Sequence, residues 1–124
     1  MACSAISKRE DQTYTSCYCE ENVWKLCHRV NQEEQRNSAD GSRDDNRPGC
    51  YYAVFISNEG RTVPLWCQRA SQGDPETEPV VWDYHVILAS KDTMEGPLVF
   101  DLDSSIKDYP CSFKTYFERH SWLA

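Results

Sequence analysis

The sequence lacks any apolar run long enough to cross a membrane or to act as an export signal. Its first 20 residues, MACSAISKREDQTYTSCYCE, hold no apolar stretch of the length that a signal peptide needs, and no later stretch reaches the length of a membrane span. We therefore expect no membrane association and a location in the cytoplasm, with the nucleus open as a second location.

Positive charge is also scarce. Lys and Arg number 13 against 20 Asp and Glu, which gives a formal net charge of -7. This balance repels phosphate backbones and anionic lipids, so it argues against nucleic-acid binding, whereas a cationic group on a substrate is tolerated. With 124 residues and 40% hydrophobic content, the chain is expected to form a single domain, 1–124, and to be a monomer.

Cysteines are plentiful, but seven is an odd number and no export signal accompanies them. In a reducing compartment free thiols are the expectation, most of them small buried hydrophobes and one of them reactive. A zinc site is an alternative that stays open, although a C-x-C pair with C-H eight residues later is not a usual zinc pattern. Its ligands would come from Cys17, Cys19, Cys27, His28 and Cys50.

Periodicity divides the first half of the chain into three parts. Residues 1–15 are polar and without a period, which predicts a loose arm. Apolar residues then recur at spacings of three and four, with acidic residues in front and basic ones behind, which predicts a helix over 20–31. Residues 32–49 are almost entirely polar and predict a mobile surface loop.

The second half is typical of an antiparallel sheet. Strand-like segments lie at 51–57, 61–68, 80–90 and 97–103. A turn at Asn58-Glu59-Gly60 predicts that the first two form a hairpin, with Pro64 making the second an edge or bulged strand. The stretch 111–122 is compatible with a short helix. One helix ahead of several antiparallel strands predicts an α+β domain.

Two predicted strands, 80–90 and 97–103, are joined by the turn KDTMEG. If this turn is centred near Thr93, His85 and Asp101 lie opposite each other on one face, with Cβ atoms about 5 Å apart. A carboxylate bonded to one ring nitrogen fixes the histidine tautomer and leaves the other nitrogen free to take a proton. Asp103, one pair farther along the same face, competes with Asp101 for this role.

Cys19 stands at the start of the predicted helix, where unpaired N–H groups and the helix dipole stabilise a thiolate. Cys17 lies too early to feel the helix terminus as strongly, and Cys27 falls inside the helix on its apolar side. The pattern therefore indicates a hydrolase site of Cys19, His85 and Asp101. Two simpler interpretations stay open: a buried His85 paired to a backbone carbonyl, and a solvated Asp101 near a turn.

Four longer blocks resemble a known family. They are SCYCEENVWKLC at 16–27, YAVFISNEGRTVPLW at 52–66, PVVWDYHVIL at 79–88 and VFDLDS at 99–104. On these blocks, which cover most of 14–116, the chain resembles the protein N-terminal glutamine amidohydrolase family. Its members are similar to papain-like thiol hydrolases, so the resemblance implies an α+β core in which an N-terminal catalytic helix packs on an antiparallel sheet.

The resemblance also implies a reaction. Family members convert a free N-terminal glutamine of proteins or peptides to glutamate with release of ammonia, and the product feeds an arginine-dependent degradation pathway. The family's nucleophile is the second cysteine of C-Y-C, here Cys19. Its histidine lies in W-D-Y-H, here His85, and its aspartate opens D-L-D, here Asp101. Neither a metal nor an organic cofactor is implied.

Recognition of a free α-ammonium calls for acidic groups near the cysteine. Glu20, Glu21 and Asp83 are the candidates, and Tyr84 is a candidate pocket wall beside them. A simpler interpretation is also open, since the helix dipole accounts for glutamates in a first turn and Asp83 is compatible with a surface position.

The sequence departs from the family in two places. The loop at 32–49 is longer than usual, and family members continue well past the equivalent of Tyr116. We therefore expect that the C-terminal part of the family domain is missing, with lower solubility and weak or absent activity. A shortened form that binds N-terminal glutamine without turnover is the alternative function.

Overall fold

The computed structural model describes residues 4–38, 51–91 and 96–120, and it confirms the predicted α+β class with an antiparallel sheet. Helix α1 (Cys19–Ser38) precedes the strands in the sequence, and helix α2 (Phe113–His120) follows them. The strands are β1 (Tyr51–Ser57), β2 (Val63–Leu65), β3 (Val80–Trp82), β4 (Tyr84–Ser90), β5 (Leu98–Phe100) and β6 (Cys111–Ser112). Single 3-10 turns at Ser4–Ile6 and Arg9–Asp11 precede α1.

The main sheet has the strand order β1-β4-β5-β6, and each of its neighbouring pairs is antiparallel. β4 is central, and every residue from His85 to Ser90 is buried because helices cover both faces. On one face Val86, Leu88 and Phe100 pack against the apolar side of α1; on the other, Ile87 and Val99 pack against Cys111 and Tyr116. From His85 onward, a residue of β4 is therefore shielded from water whichever way it points, whereas Tyr84 at its start is exposed.

Helix α1 begins where the sequence predicts and ends later. It continues to Ser38, so that residues 32–38, expected to be loop, are helical. Gln and Glu at 32–35 are good helix formers, which explains why the helix continues. The prediction of a loop was wrong because it depended on the polarity of this stretch and not on helix propensity. The remainder of the predicted loop, 39–49, lies outside the described residues.

The predicted hairpin between 51–57 and 61–68 is wrong. β1 pairs with β4 along its whole length, whereas β2 pairs with β3 in a separate two-stranded sheet. The Asn58 side chain accepts a hydrogen bond from Thr62 N at 2.9 Å and donates one to Thr62 O at 2.8 Å, closing a loop that carries the chain away from β1. Pro64 lies in the short strand β2, as expected for an edge strand.

The expected loose arm at 1–15 differs from the structure, in which residues 4–15 pack on the body of the domain. Ile6 is fully buried in the core beside α1. Arg9 Nη2 donates to Ile106 O at 2.7 Å, and Gln12 Nε2 donates to Ala5 O at 2.9 Å. The few apolar residues of this stretch show no period, yet burying Ile6 fixes the segment.

The segment 111–122, where the sequence allowed a short helix, contains α2. Its buried residues are Tyr116 and His120, and it packs on β5 and β6. Among the described residues, neither helix combines the length and the apolarity that crossing a bilayer requires.

Candidate active site

Cys19 is the first residue of α1, and a side-chain clamp fixes the backbone in front of it. Asn22 Oδ1 accepts a hydrogen bond from Thr15 N at 2.9 Å, while Asn22 Nδ2 donates to Thr15 O at 3.0 Å. Tyr18 N donates to the same carbonyl at 3.2 Å, and Cys17 adopts a φ of 65° within this turn. The clamp and the turn together set the position from which the helix starts, and so the position of the Cys19 thiol.

His85 is the second residue of β4, and Asp101 follows directly after β5. Nε2 of His85 lies 3.0 Å from Oδ2 of Asp101, and both side chains are almost completely buried. A histidine paired to a carboxylate has its tautomer and ring orientation fixed, because one nitrogen is engaged. The structure therefore brings together the two residues that the strand argument paired.

The predicted strand register was nevertheless wrong by two residues. Leu88 pairs with Phe100, which by extrapolation sets Asp103 rather than Asp101 opposite His85. A shift of two keeps side chains on the same face, so the predicted facing survives the error. β5 ends at Phe100, and a turn closed by Ser104 N donating to Asp101 O at 3.2 Å aims the Asp101 carboxylate at His85 instead. The bounds of the predicted strands also differ from the structure. The predicted strand 80–90 is two strands separated at Asp83, and the predicted strand 97–103 is shorter, at 98–100.

Asp101 accepts three hydrogen bonds. Besides His85, the Tyr116 hydroxyl donates to Oδ2 at 2.7 Å, and Asp103 N donates to Oδ1 at 2.9 Å. Burial by itself raises the pKa of Asp101, but the positive charge of His85 and these donors outweigh it and hold the pKa below its usual range. Asp101 is therefore a fixed carboxylate anion within the core.

The charge state of His85 follows from the same contacts. Burial lowers the pKa of His85, but the Asp101 charge and hydrogen bond outweigh burial and raise it to about 10. Nδ1 is buried and makes no hydrogen bond of standard geometry with the described residues, yet the Cys19 thiol lies near enough to the ring to raise the pKa further. At neutral pH the ring is an imidazolium with one nitrogen on Asp101 and the other left for Cys19.

Asp103 lies near the His85 ring, but its carboxylate is hydrogen-bonded to another residue. Its Oδ1 accepts a hydrogen bond from the Tyr14 hydroxyl at 2.7 Å. Burial and the nearby Asp101 charge raise the pKa of Asp103. Asp103 donates its backbone N–H to Asp101, and its carboxylate does not bond the imidazole. Of the two aspartates that the sequence offered as the partner of His85, Asp101 is therefore the one that contacts it.

An aromatic side chain covers the imidazole. The Trp82 ring stacks on His85 with a centroid distance of 4.9 Å and an interplanar angle of 23°. Trp82 Nε1 in turn donates to Oε1 of the fully buried Gln68 at 3.3 Å. The stack excludes water from one face of His85 and restricts its rotation.

An open groove of about 640 Å³ reaches the thiol. Its lining includes Cys19, Trp82 and all four candidates for substrate binding, Glu20, Glu21, Asp83 and Tyr84. The Tyr84 hydroxyl donates to Glu20 Oε1 and orients that carboxylate. The charged side chains among the described lining residues are all acidic, so this part of the groove favours a cationic ligand group.

His85, Asp101 and Asp103 also form a group of metal-ligand type, with one donor atom from each within 4.8 Å of the others. Protein donors already satisfy these carboxylates, because Asp101 accepts three hydrogen bonds and Asp103 accepts one from Tyr14. Among the described residues, Cys17, Cys19, Cys27 and His28 form no such group, and Cys50 of that alternative lies outside the described ranges.

A cysteine at a helix start beside a buried His–Asp pair is an arrangement of the kind that thiol hydrolases use. Comparison with known proteins agrees: residues 14–121 match the sequence model of the N-terminal glutamine amidase family, and the chain belongs to this family. It is 46% identical over 113 residues to proteins named "Protein N-terminal glutamine amidohydrolase" from Drosophila melanogaster, Drosophila erecta and Drosophila yakuba. Each match covers 91% of this chain and 47% of the relative, so the chain spans about half the length of these relatives.

Sequence reasoning missed three residues that support the site. Asn22 bonds the turn in front of α1, Tyr14 reaches Asp103 from the N-terminal arm, and Tyr116 reaches Asp101 from α2. Asn22 had a local signal, because a short amide at the fourth position of a helix is suited to bonding the preceding turn. Tyr116 and Tyr14 had none, since their partners are distant along the chain.

Proposed function

We propose that this chain is a protein N-terminal glutamine amidohydrolase with Cys19 as nucleophile, His85 as acid and base, and Asp101 as the group that orients the histidine. The observation that carries the proposal is the 3.0 Å contact between the buried His85 and Asp101, which leaves Nδ1 for the thiol at the start of α1. Membership of the family and the names of the relatives supply the substrate class.

The proposed fold of the site is a papain-like core. A cysteine at a helix start, a histidine from the neighbouring sheet and a carboxylate on its far nitrogen form the relationship expected of such a core. In this arrangement the helix dipole and the His85 imidazolium both favour a thiolate at Cys19.

The proposed reaction is acyl transfer in two halves. Cys19 Sγ attacks the side-chain carboxamide carbon of the glutamine, and backbone N–H groups at the start of α1, including that of Cys19, hold the oxyanion. His85 Nδ1–H gives its proton to the departing nitrogen, which leaves as ammonia. The neutral His85 then takes a proton from water, whose oxygen attacks the thioester carbon and releases glutamate.

The raised pKa of His85 suits this order of events. At neutral pH the ring begins as the acid, because the Asp101 charge keeps it protonated. It becomes a base only after it has given its proton to the departing nitrogen, which leaves as ammonia. The base required for the second half is thus generated by the first half, with no second titratable group needed.

We assign recognition of the α-ammonium to Glu20 and Asp83. Both line the groove beside Cys19, and Tyr84 orients Glu20. Glu21 lines the groove as well, but Lys25 Nζ lies 2.9 Å from its Oε1 and neutralises it. A free amino terminus entering the groove would therefore meet two carboxylates and bring the adjacent side chain toward the thiol.

Ammonia release tests the function. A peptide with N-terminal Gln should release ammonia, whereas the same peptide with an acetylated terminus, or with Gln placed internally, should not. Cys19→Ala should reduce turnover by roughly 10⁴-fold or more, and Asp101→Asn by about 10²-fold to 10⁴-fold. Saturable peptide binding without ammonia would instead support a chain that recognises N-terminal glutamine but does not turn it over, and equal rates on the acetylated peptide would overturn the substrate assignment.

A further inference from the structure

A second cavity, of about 700 Å³, lies between the N-terminal arm and the segment 104–109. Among the residues that the structure describes, it shares no lining residue with the groove at Cys19. The described residues of its walls include four cationic side chains, Lys8, Arg9, Arg69 and Lys107, and one carboxylate, that of Glu10. In a chain of net charge -7, this is a local reversal of sign.

The two arginines are held in place by aromatic rings and backbone carbonyls. The Arg69 guanidinium carbon lies 3.8 Å from the centroid of the Tyr14 ring, and Nη1 donates to Leu102 O at 3.2 Å. The Arg9 guanidinium carbon lies 5.2 Å from the centroid of the Tyr109 ring, and Nη2 donates to a backbone carbonyl of the same segment. Among the described residues, each guanidinium uses only one of its terminal nitrogens in these hydrogen bonds.

No ion pair within the cavity compensates its positive charge directly. Among the described residues, none of its four cations forms a salt bridge. The charges of Asp101 and Glu10 act on Arg9, and that of Asp103 acts on Arg69, only from longer range. Burial chiefly, and the charge of Arg69 in addition, lower the pKa of Arg9 despite the opposing influence of Tyr109 and Asp101. Two guanidinium groups near enough to repel each other are stabilised by an anion placed with them.

We propose that this cavity binds a small multivalent oxyanion of the phosphate class. Guanidinium groups bind phosphate oxygens with two parallel N–H bonds, and ammonium groups add point charge. Cation–aromatic stacking positions Arg9 and Arg69 before the ligand arrives, which reduces the ordering cost of binding. The site goes beyond the amidohydrolase function, since none of its lining residues belongs to the Cys19 groove.

Calorimetric titration of the full chain with inorganic pyrophosphate tests the proposal. Saturable binding is expected, and it should weaken as the salt concentration rises. Lys8→Gln combined with Lys107→Gln removes two exposed charges of the cavity and should weaken binding by about tenfold or more. Lys114→Gln is the matched control, because this exposed lysine lies on α2 outside the cavity and should leave affinity unchanged.

Two further measurements sharpen the outcome. Arg69→Gln should abolish binding, and a thermal melt of that variant establishes whether it is folded; the double lysine variant carries the test if it is not. Citrate, a multivalent carboxylate, should bind more weakly than pyrophosphate. Absence of saturable binding, equal affinity in the double lysine variant, or stronger binding of citrate would each overturn the proposal. None of these experiments measures ammonia release, so a negative result for anion binding would not contradict the amidohydrolase proposal.

Discussion

Tyr116 donates a 2.7 Å hydrogen bond to Oδ2 of Asp101, the same oxygen that pairs with His85. The Tyr116 side chain is almost completely buried, and its ring stacks on His120 with centroids 4.0 Å apart. His120 in turn lies 2.7 Å from the Ser104 hydroxyl through Nε2. The orientation of the Asp101 carboxylate is thus fixed by a second donor to the oxygen that pairs with His85.

The first prediction concerns this hydroxyl. Tyr116→Phe should lower the free energy of unfolding by about 1.5–3 kcal/mol, since a donor to a buried carboxylate is lost. In the proposed reaction kcat should fall with little change in KM. The basic limb of the pH–rate profile should also move, because the Asp101 carboxylate loses a hydrogen-bond donor and its effect on the pKa of His85 changes. Urea unfolding and a pH–rate profile measure the two effects.

Tyr109→Phe is the matched control for this substitution. The Tyr109 hydroxyl is buried but has no hydrogen-bond partner among the described residues, so its removal should cost no stability. If both variants lose stability equally and the pH profile of Tyr116→Phe is unmoved, Tyr116 has only a packing role.

The second prediction is a loss of stability at alkaline pH. The folded pKa of His85, about 10, lies above its ordinary value of 6.5, so the folded state binds this proton more tightly than the unfolded state. The contribution is fully present below pH 6.5 and is lost as pH rises toward about 10. The pKa of Asp101 is lowered, so its contribution is lost on the acid side, below 3.8.

Urea unfolding between pH 6 and pH 10 measures this dependence. The slope should be reduced in His85→Gln, whereas His28→Gln, which changes an exposed histidine on α1, should keep it. A parallel decline in wild type and His85→Gln would show that other groups cause the alkaline loss.

The third prediction concerns the clamp in front of Cys19. Asn22→Ala leaves the N–H and carbonyl of Thr15 without their side-chain partners and should cost about 1–3 kcal/mol of stability. The turn that sets the start of α1 should loosen, so alkylation of Cys19 by iodoacetamide should change in rate and kcat should fall. Asn31→Ala, an exposed change on the same helix, is the control, and an identical alkylation rate in both variants would contradict the positioning role.

The fourth prediction separates the acidic residues of the groove. Asp83→Asn and Glu20→Gln should each raise KM for a Gln-initiated peptide by about tenfold, with kcat less affected, because each removes a charge that faces the α-ammonium. Glu21→Gln should have a small effect, since Lys25 already neutralises that carboxylate. Steady-state kinetics at constant ionic strength give both constants, and an unchanged KM in either of the first two variants removes that residue from the assignment.

Much of the site could be predicted because its determinants are local or periodic. Acidic residues before an apolar stripe indicate a helix start, and α1 does begin at Cys19. The period of two in a strand predicted the common face of His85 and Asp101, and this prediction withstood the register error, although the turn after β5 makes the contact itself. The bounds of β1, 51–57, are also as predicted, because its aromatic and β-branched residues end at a turn.

The rest depends on contacts between distant parts of the chain. The partner of β1 is β4 because pairing two long apolar strands buries more surface than pairing β1 with a three-residue strand that contains Pro64. Tyr116 is placed to donate a hydrogen bond to Asp101 because α2 packs on β5 and β6. Neither relationship leaves a pattern in the residues beside it.

The match to the family model begins at Tyr14, whereas the packed core begins earlier along the chain, because Ile6 fills a space in the core beside α1. A shortened protein that starts where this match starts would retain the candidate catalytic residues and lose a buried residue of the core. Poor behaviour of such a shortened protein would reflect where it had been cut rather than a defect in its chemistry.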